Sequence, residues 1–412
     1  MADTLMTTSV GPTNSIRTQY ISRFQRQVAQ QRLYDLLAVD YTTFAGGLSM
    51  DEMMRGSSIQ INFSSGLQPG TTAISETADV TPQVIRDATA SVTPTSRGEA
   101  VQWSENLEIQ AYTDLADATL EAVGNNAGES IDLLAQAQAL QGSWVERAAA
   151  RASLDAGTVS HRASDSIFRQ AAIKLLRLQA PGFMSPDGSA MRWAAIMAPE
   201  PFHDIAESGN VNDIGLYQDS GIHLAWSLAR IGNFDLVVSP FAKVFGAAGA
   251  DNGSGAAASL IGAAVNRLAT SVTTADDVAT NSAYGDWLWI GVEETANTHY
   301  ATNEAVKLLS AATTTLTIAG SGPNHGLRYD HTNTTTDYVR NADSVYPIVF
   351  GGPQSLVKVY ATDIGPYGKL VGPDVSGLLE QWKHVGWKYY GNYGRLSQNR
   401  LLRWEVSTSY EA

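Results

Sequence analysis

Residues 64–100 read SSGLQPGTTAISETADVTPQVIRDATASVTPTSRGEA, without one aromatic side chain and with Pro69, Gly70, Pro82 and Pro94 spaced along the stretch. Proline removes backbone donors and breaks helix interiors, so this stretch can neither run as a long helix nor build a core of its own. It has to lean on something else. Its flanks are patterned: Ile59, Ile61 and Phe63 alternate with Gln60 and Asn62 before it, and Val101 and Trp103, then Leu107 and Ile109, follow it. Such alternation predicts strands, and the two flanks read as the base of one hairpin. About 20 extended residues carry a tip roughly 60 Å from its base, farther than one domain's own surface would use. Unstructured loops of this length are uncommon inside compact domains. The sequence therefore predicts an arm resting on a neighbouring subunit, set against the plainer reading of a disordered loop.

Working outward toward the N-terminus, residues 14–34 carry only four charges, Arg17, Arg23, Arg26 and Arg32, while Ile16, Tyr20, Phe24 and Val28 recur every fourth residue. That is a helical stripe with a basic reverse side. It reads as an amphipathic arm laid on another subunit, or as an arm that touches nucleic acid. On the other side of the loop, residues 112–141 place Leu115, Leu120, Val123, Ala127, Ile131, Leu134 and Leu140 on one face, with Thr113 and Asp114 as capping chemistry. This is expected to be the longest helix. Gly124 and Gly128 lie inside it at a cost of about 1 kcal/mol each, which points to a kink or a close helix contact. A second helix is expected over 161–179, with Ile167, Ala171 and Leu175 inward, Arg162, Arg169, Lys174 and Arg177 elsewhere, and Pro181-Gly182 as the stop.

Beyond this point the texture is mixed. Residues 193–197, 234–238, 287–292 and 346–350 read as short strands between turns bearing Gly and Pro. From about 250 to 344 the composition shifts toward Gly, Ala, Thr and Asn, as in Thr332-Asn333-Thr334-Thr335-Thr336, and reads as an inserted, surface-exposed subdomain. Near the end, Val385, Trp387 and Tyr389 followed by Leu402, Trp404 and Val406 predict a two-stranded hairpin.

Composition narrows the classes. With 412 residues, 44% of them hydrophobic and 17% charged, the chain is a folding one and can bury a sizeable core. Its 27 Lys and Arg against 41 Asp and Glu leave a net −14, so phosphate backbones are repelled over most of its surface. With no cysteine, disulfides, thiolate ligands and thiol nucleophiles are excluded. Residues 1–20 lack the cationic flank and apolar core of a signal peptide, and no apolar run reaches the roughly 20 residues of a membrane span. The expectation is a protein made in the cytoplasm, soluble, with no membrane partner.

A search for chemistry finds little. The seven histidines include no i, i+4 pair of the helical zinc type. The tightest cluster, His325, Asp330, His331 and Asp337, reads as polar loop before it reads as a metal site. Gly365-Pro366-Tyr367-Gly368-Lys369 has Leu370 where a phosphate loop needs Ser or Thr, and Pro323 removes a donor from Gly320-Ser321-Gly322-Pro323. There is no Gly-x-Ser-x-Gly elbow, and Glu293-Glu294 are chain neighbours that need not converge. No catalytic residue, cofactor or metal is assigned, and the chain reads as a structural, self-assembling protein, not an enzyme.

Three further stretches, 230–241 (RIGNFDLVVSPF), 345–352 (VYPIVFGG), and Gly386-Trp387-Lys388 with 401–405 (LLRWE), together with the order of elements, resemble the major capsid proteins of tailed bacteriophages. The resemblance implies an α+β chain of the Hong Kong 97-like fold, with an N-terminal arm (1–55), an extended β-hairpin loop (56–111) and a peripheral domain with the spine helix (112–160). An axial domain (161–249), an insertion (250–344) and a return through axial and peripheral domains (345–412) complete it. It implies self-assembly into hexamers and pentamers of an icosahedral shell around double-stranded DNA, in the virion after assembly in the host bacterial cytoplasm. Implied partners are the chain itself, separate scaffolding, portal and decoration proteins, and DNA in non-specific contact. Arm contacts fall to Arg17, Arg23, Arg26 and Arg32, and loop contacts to Arg86 and Arg97.

Two departures matter. Some relatives weld their shells through a lysine in the extended loop, but residues 64–100 contain none, so a shell without such cross-links is expected. Some carry a long cleaved scaffolding segment, whereas arm and loop here begin within about 60 residues of Met1, so scaffolding is expected as a separate protein. The rival readings are an encapsulin-like nanocompartment shell that encloses enzymes, another virion component, or a glycan-binding or hydrolytic protein using the Thr/Asn-rich insertion.

Overall fold

The structure, a computed structural model, describes residues 14–41, 58–64, 84, 87–111, 115–151, 154, 157–184, 191–207, 227–245, 258–276, 284–292, 302–320, 326–340, 344–361, 364–376, 381–396 and 398–411. The chain is α+β and divides into two compact units: Met1–Val28, Asp40–Ala127 and Val357–Leu396 form one, and Ala29–Val39, Gly128–Leu356 and Ser397–Ala412 the other. The longest helix among the described residues, Leu115–Leu140, contributes its first half to one unit and its second half to the other.

In the first unit the organising element is the strand Trp382–Arg395, whose inward residues Val385, Trp387, Tyr389 and Tyr393 are buried. It pairs antiparallel with Thr95–Ser104 over ten positions and with Lys369–Ser376 over six. The buried Trp387 indole donates to Asn126 Oδ1 at 2.8 Å, so a polar tip on an apolar ring finds the partner its burial demands. The helix Asn14–Gln31 buries Phe24 and Val28, as the four-residue stripe predicts. It approaches the long helix at Gly124, where a Cβ would come within 2.5 Å of Gln27 Oε1 and 3.2 Å of Gln27 Cβ. Gly124 therefore has its explanation as a close helix contact. Thr113 and Asp114 lie outside the described residues.

The loop flanks are rearranged relative to the sequence reading. Ile59–Ser64 pairs antiparallel with Asp87–Val92, in register Ile59 with Val92 through Ser64 with Asp87. The segment carrying Val101 and Trp103 instead joins the sheet through Trp382–Arg395, and Leu107 and Ile109 sit in the short helix Glu105–Gln110. The reason is local: Ser104, extended, accepts the Leu107 N–H at 3.3 Å and caps a helix that alternation alone would continue as a strand. The stretch also buries Val92 and Pro94.

The second unit holds a seven-stranded mixed sheet in the order Val145–Arg147, Leu401–Val406, Tyr346–Gly351, Met191–Met197, Phe234–Val238 and Ser227–Ile231, with Phe183–Met184 also on Met191–Met197. The central strands Met191–Met197 and Phe234–Val238 run parallel, joined by a crossover that includes the helix Pro199–Glu207. Residues 192–198 are buried without a break, which accounts for a continuous apolar run in place of alternation. Helix Asp165–Arg177 packs Ile167, Phe168, Ala171 and Leu175 against this sheet. Phe168, Phe234 and Phe350 meet edge to face at centroid distances of 5.0–5.9 Å, worth about 0.5–1.5 kcal/mol per pair beyond area burial.

The expected C-terminal hairpin does not form. Trp382–Arg395 belongs to the first unit's sheet and Leu401–Val406 to the second unit's, where it pairs antiparallel with Tyr346–Gly351 and parallel with Val145–Arg147. Both strands have other partners, and the turn Gln398–Arg400 passes the chain from one sheet to the other. Also in the second unit, residues 258–340 fold into a six-stranded sheet, ordered Ala258–Leu260, Asp337–Arg340, Trp287–Val292, Glu304–Ala312, Thr315–Ala319, Ser271–Thr273. It has its own core, including Val272, Leu288, Ile290, Val306, Leu316 and Val339. Its neck is closed by Phe245 and Val345, which exchange backbone hydrogen bonds of 2.8 and 3.3 Å.

Candidate assembly surfaces

The arginines read from the sequence separate into different roles. Arg23 is exposed and pairs with Asp117 in the first turn of the long helix. Arg26 is exposed on the same helix. Arg17 lies in that helix with its side chain outside the described residues, and Arg86 lies outside them altogether. Arg32 is only 6% exposed, and its guanidinium meets Asp35 at 2.7 Å, so its charge is met inside its own chain. Arg97 is exposed on Thr95–Ser104, opposite Tyr389 in register.

That strand is the unusual surface. Thr95–Gln102 gives eight exposed residues in a row, on both faces of a strand that is nevertheless paired along its whole length to Trp382–Arg395. A half-buried strand shows alternation, and a strand without it lacks cover on either side. Small residues make the ladder tight here: a Cβ at Gly386 would lie 2.7 Å from Glu99 O and 2.8 Å from the Ala100 Cβ. An open groove of about 400 Å³ runs over this face, lined by Gly98, Ala100, Val371, His384, Gly386 and Lys388 among others.

The buried titratable groups are engaged in holding the chain together. Glu405, with no exposed side-chain surface, receives hydrogen bonds from Arg147 Nε at 2.5 Å and from Arg151 Nε and Nη2 at 3.0 and 2.5 Å, and the charge of Arg403 lies 3.1 Å away at Nε. Burial pushes its pKa up, but the hydrogen bonds from Arg151 and Arg147 and the charge of Arg403 outweigh it and hold the carboxyl at about 2. Asp132 is the contrary case: burial pushes it up to about 8, although it accepts the Tyr34 N–H at 2.8 Å and lies near Arg32. Neither was visible in the sequence, since their partners are up to 258 positions away.

Of the histidine cluster, His331 and Asp337 are buried, and His331 Nε2 lies 3.0 Å from Glu304 Oε1. Glu304 also accepts the Arg328 and Tyr329 N–H groups at 3.0 and 3.1 Å, and Asp330 accepts the Arg267 N–H. These bonds fix a turn. His325, Gly322-Pro323 and Glu293-Glu294 lie outside the described residues. Gly365-Pro366-Tyr367-Gly368-Lys369 is a turn, with the Gly365 N–H on Ala361 O at 3.0 Å. Beside the Glu304 turn lies a cavity of about 330 Å³, lined by Glu200, Lys243, Trp287, Glu304, Arg328 and Tyr410 among others, in which Arg328 stacks on Phe241 at 4.1 Å. Among the described residues His203, Asp204 and Glu207 offer ligand atoms within 4.8 Å of one another, but Asp204 is bonded to the Ser409 N–H at 3.1 Å. No helix among the described residues is long and apolar enough to cross a membrane.

No protein-family model and no curated protein matches the chain. Among solved structures, it is similar to the capsid of Ralstonia phage GP4 at 11% identity and a TM-score of 0.49, over 86% of this chain and 84% of that one. The capsid structure of cyanophage P-SCSP1u gives 13% identity and a TM-score of 0.48, over 91% and 88%. The capsid asymmetric unit of cyanophage Pam1 gives 12% identity and 0.46, over 88% of each chain. All three scores lie below 0.5, and all three identities below 25%.

Proposed function

We propose that this chain is the major capsid protein of a tailed bacteriophage, a structural subunit that self-assembles through hexamers and pentamers into an icosahedral shell around double-stranded DNA. The observation that carries the reading is Thr95–Gln102, eight consecutive exposed residues on a fully paired strand, reached through a two-stranded hairpin. Such a strand buries too little to repay its ordering within one chain and is explained by cover from another. The basic arm helix, the long helix shared by two units and the self-contained insertion follow in the order that the sequence resemblance implies.

In this reading the first unit is the peripheral domain, the second the axial domain, and 258–340 a subdomain that seats or replaces a decoration protein. The exposed Arg23, Arg26 and Arg97 meet acidic surface of neighbouring copies, in a chain whose net −14 supplies it. The same acidity suits a container, because each phosphate gripped would add salt-sensitive affinity and hinder packaging and release.

The test is negative-stain electron microscopy of the protein made with its neighbouring genes, together with a nuclease-protection assay. Closed angular particles holding protected DNA are expected. Shells filled with protein would move the function to an enzyme-enclosing nanocompartment, and a monomer under all conditions would overturn the reading.

A further inference from the structure

Helix Asp165–Arg177 commits one face to the core and leaves Ile173 at 59% and Leu176 at 54% exposed on the other. Three positions apart, they are neighbours on the helix surface. Leu178, 39% exposed, follows in the turn. Arg177, exposed, stands four positions after Ile173, and Arg169, four before it, is exposed and paired with Asp165 at 2.5 Å. Single exposed apolar residues are ordinary, but an adjacent set with a guanidinium beside it is a patch with a chemical character.

A second patch has the opposite sign. The helix Glu105–Gln110, ENLEIQ, buries none of its residues; Leu107 is 51% and Ile109 75% exposed, and its only charges are Glu105 and Glu108. Glu108 is taken by Lys383 at 2.7 Å, which leaves Glu105 as the exposed carboxylate. Trp382, 46% exposed, stands alongside, since the Glu105 N–H is bonded to Gln381 O at 2.9 Å.

We propose that these patches are the two halves of one contact between copies of this chain: Leu107 and Ile109 of one copy cover Ile173 and Leu176 of the next, and Glu105 meets Arg177. This rests on the shell reading above and names where adjacent subunits touch. A chain with a net −14 repels its own copies unless the sign reverses locally, and on Asp165–Arg177, where Arg169 is paired with Asp165 and Lys174 with Glu146, Arg177 provides that reversal. Because the halves are different surfaces, the contact is heterologous, propagating head to tail and closing as a ring. Patches this small are far below what an isolated dimer needs, so the contact acts through repetition around the ring.

The experiment is a charge swap in the full chain, read by sedimentation of assembled particles, with circular dichroism to check the fold. E105R and R177E are each expected to lower the assembled fraction at least tenfold, and the double variant E105R/R177E to return it to within threefold of the parent. Because the chain has no cysteine, I109C/I173C treated with a flexible bismaleimide is expected to give a ladder of multimers on a denaturing gel, where each single variant stops at dimers. Singles that assemble like the parent, a double no better than the singles, or no ladder from assembled protein would overturn the contact while leaving the shell reading intact. A parent chain that never assembles would overturn both.

Discussion

Two buried carboxylates give the chain opposite responses to pH. Glu405 titrates at about 2 when folded, so its contribution to stability is complete above its ordinary value of 4.5 and is lost as pH falls toward 2. Asp132, raised from 3.8 to about 8, contributes fully below about pH 3.8, and its contribution is lost as pH rises through 8. Urea unfolding from pH 3 to 9 should therefore show Asp132→Asn flattening the alkaline limb, because asparagine keeps the acceptor for the Tyr34 N–H without the charge. Glu405→Gln should lower stability at pH 7 by about 3–5 kcal/mol, the usual cost of leaving buried cations without their counter-ion. An unchanged urea midpoint would show that the arginines around Glu405 find water or other partners. The exposed Arg23–Asp117 pair is worth about 0–1 kcal/mol at most, so it does not hold the arm helix down; Phe24 and Val28 do.

At the scale of elements, the arm helix and the long helix meet where Gly124 admits Gln27. Gly124→Leu favours the helix by propensity, since glycine is the poorer former by about 1 kcal/mol, yet it fills the space that Gln27 occupies. The outcome expected is release of Asn14–Gln31, seen as at least tenfold faster proteolysis within it while Leu115–Leu140 stays protected; unchanged cleavage would place the docking elsewhere. The elements that were legible in the sequence were those with long or uninterrupted patterns: the helix 14–31, the long helix, the inward face of Asp165–Arg177, and the strands Phe234–Val238 and Trp287–Val292. The pairing partners were not legible. A strand's edge carries only backbone, and backbone groups are the same in every residue, so nothing in the pattern of Ile59–Ser64 pointed to Asp87–Val92 rather than to the segment with Val101 and Trp103.

At the scale of the whole molecule, reversal of the exposed arm and loop charges in a combined R23E/R26E/R97E variant should lower assembly at least tenfold with an unchanged circular dichroism spectrum; assembly at the parent's level would remove these residues from the subunit contacts. Particles dissolved in denaturant should run as a single band of 44 kDa chains, because residues 64–100 supply no lysine for an isopeptide bond; high-mass ladders would overturn that expectation. What the sequence determined by itself was composition-level and periodic: a folding, acidic, cysteine-free chain, a proline-punctuated stretch without aromatic side chains, and the faces of its main helices. Tertiary structure alone decided which strands share a sheet, that the chain passes from one sheet to another at Gln398–Arg400, and that Glu405 gathers Arg147, Arg151 and Arg403. Periodicity reports which side of an element is apolar, whereas sheet order and buried ion pairs arise from contacts between residues hundreds of positions apart, for which one sequence carries no local signal.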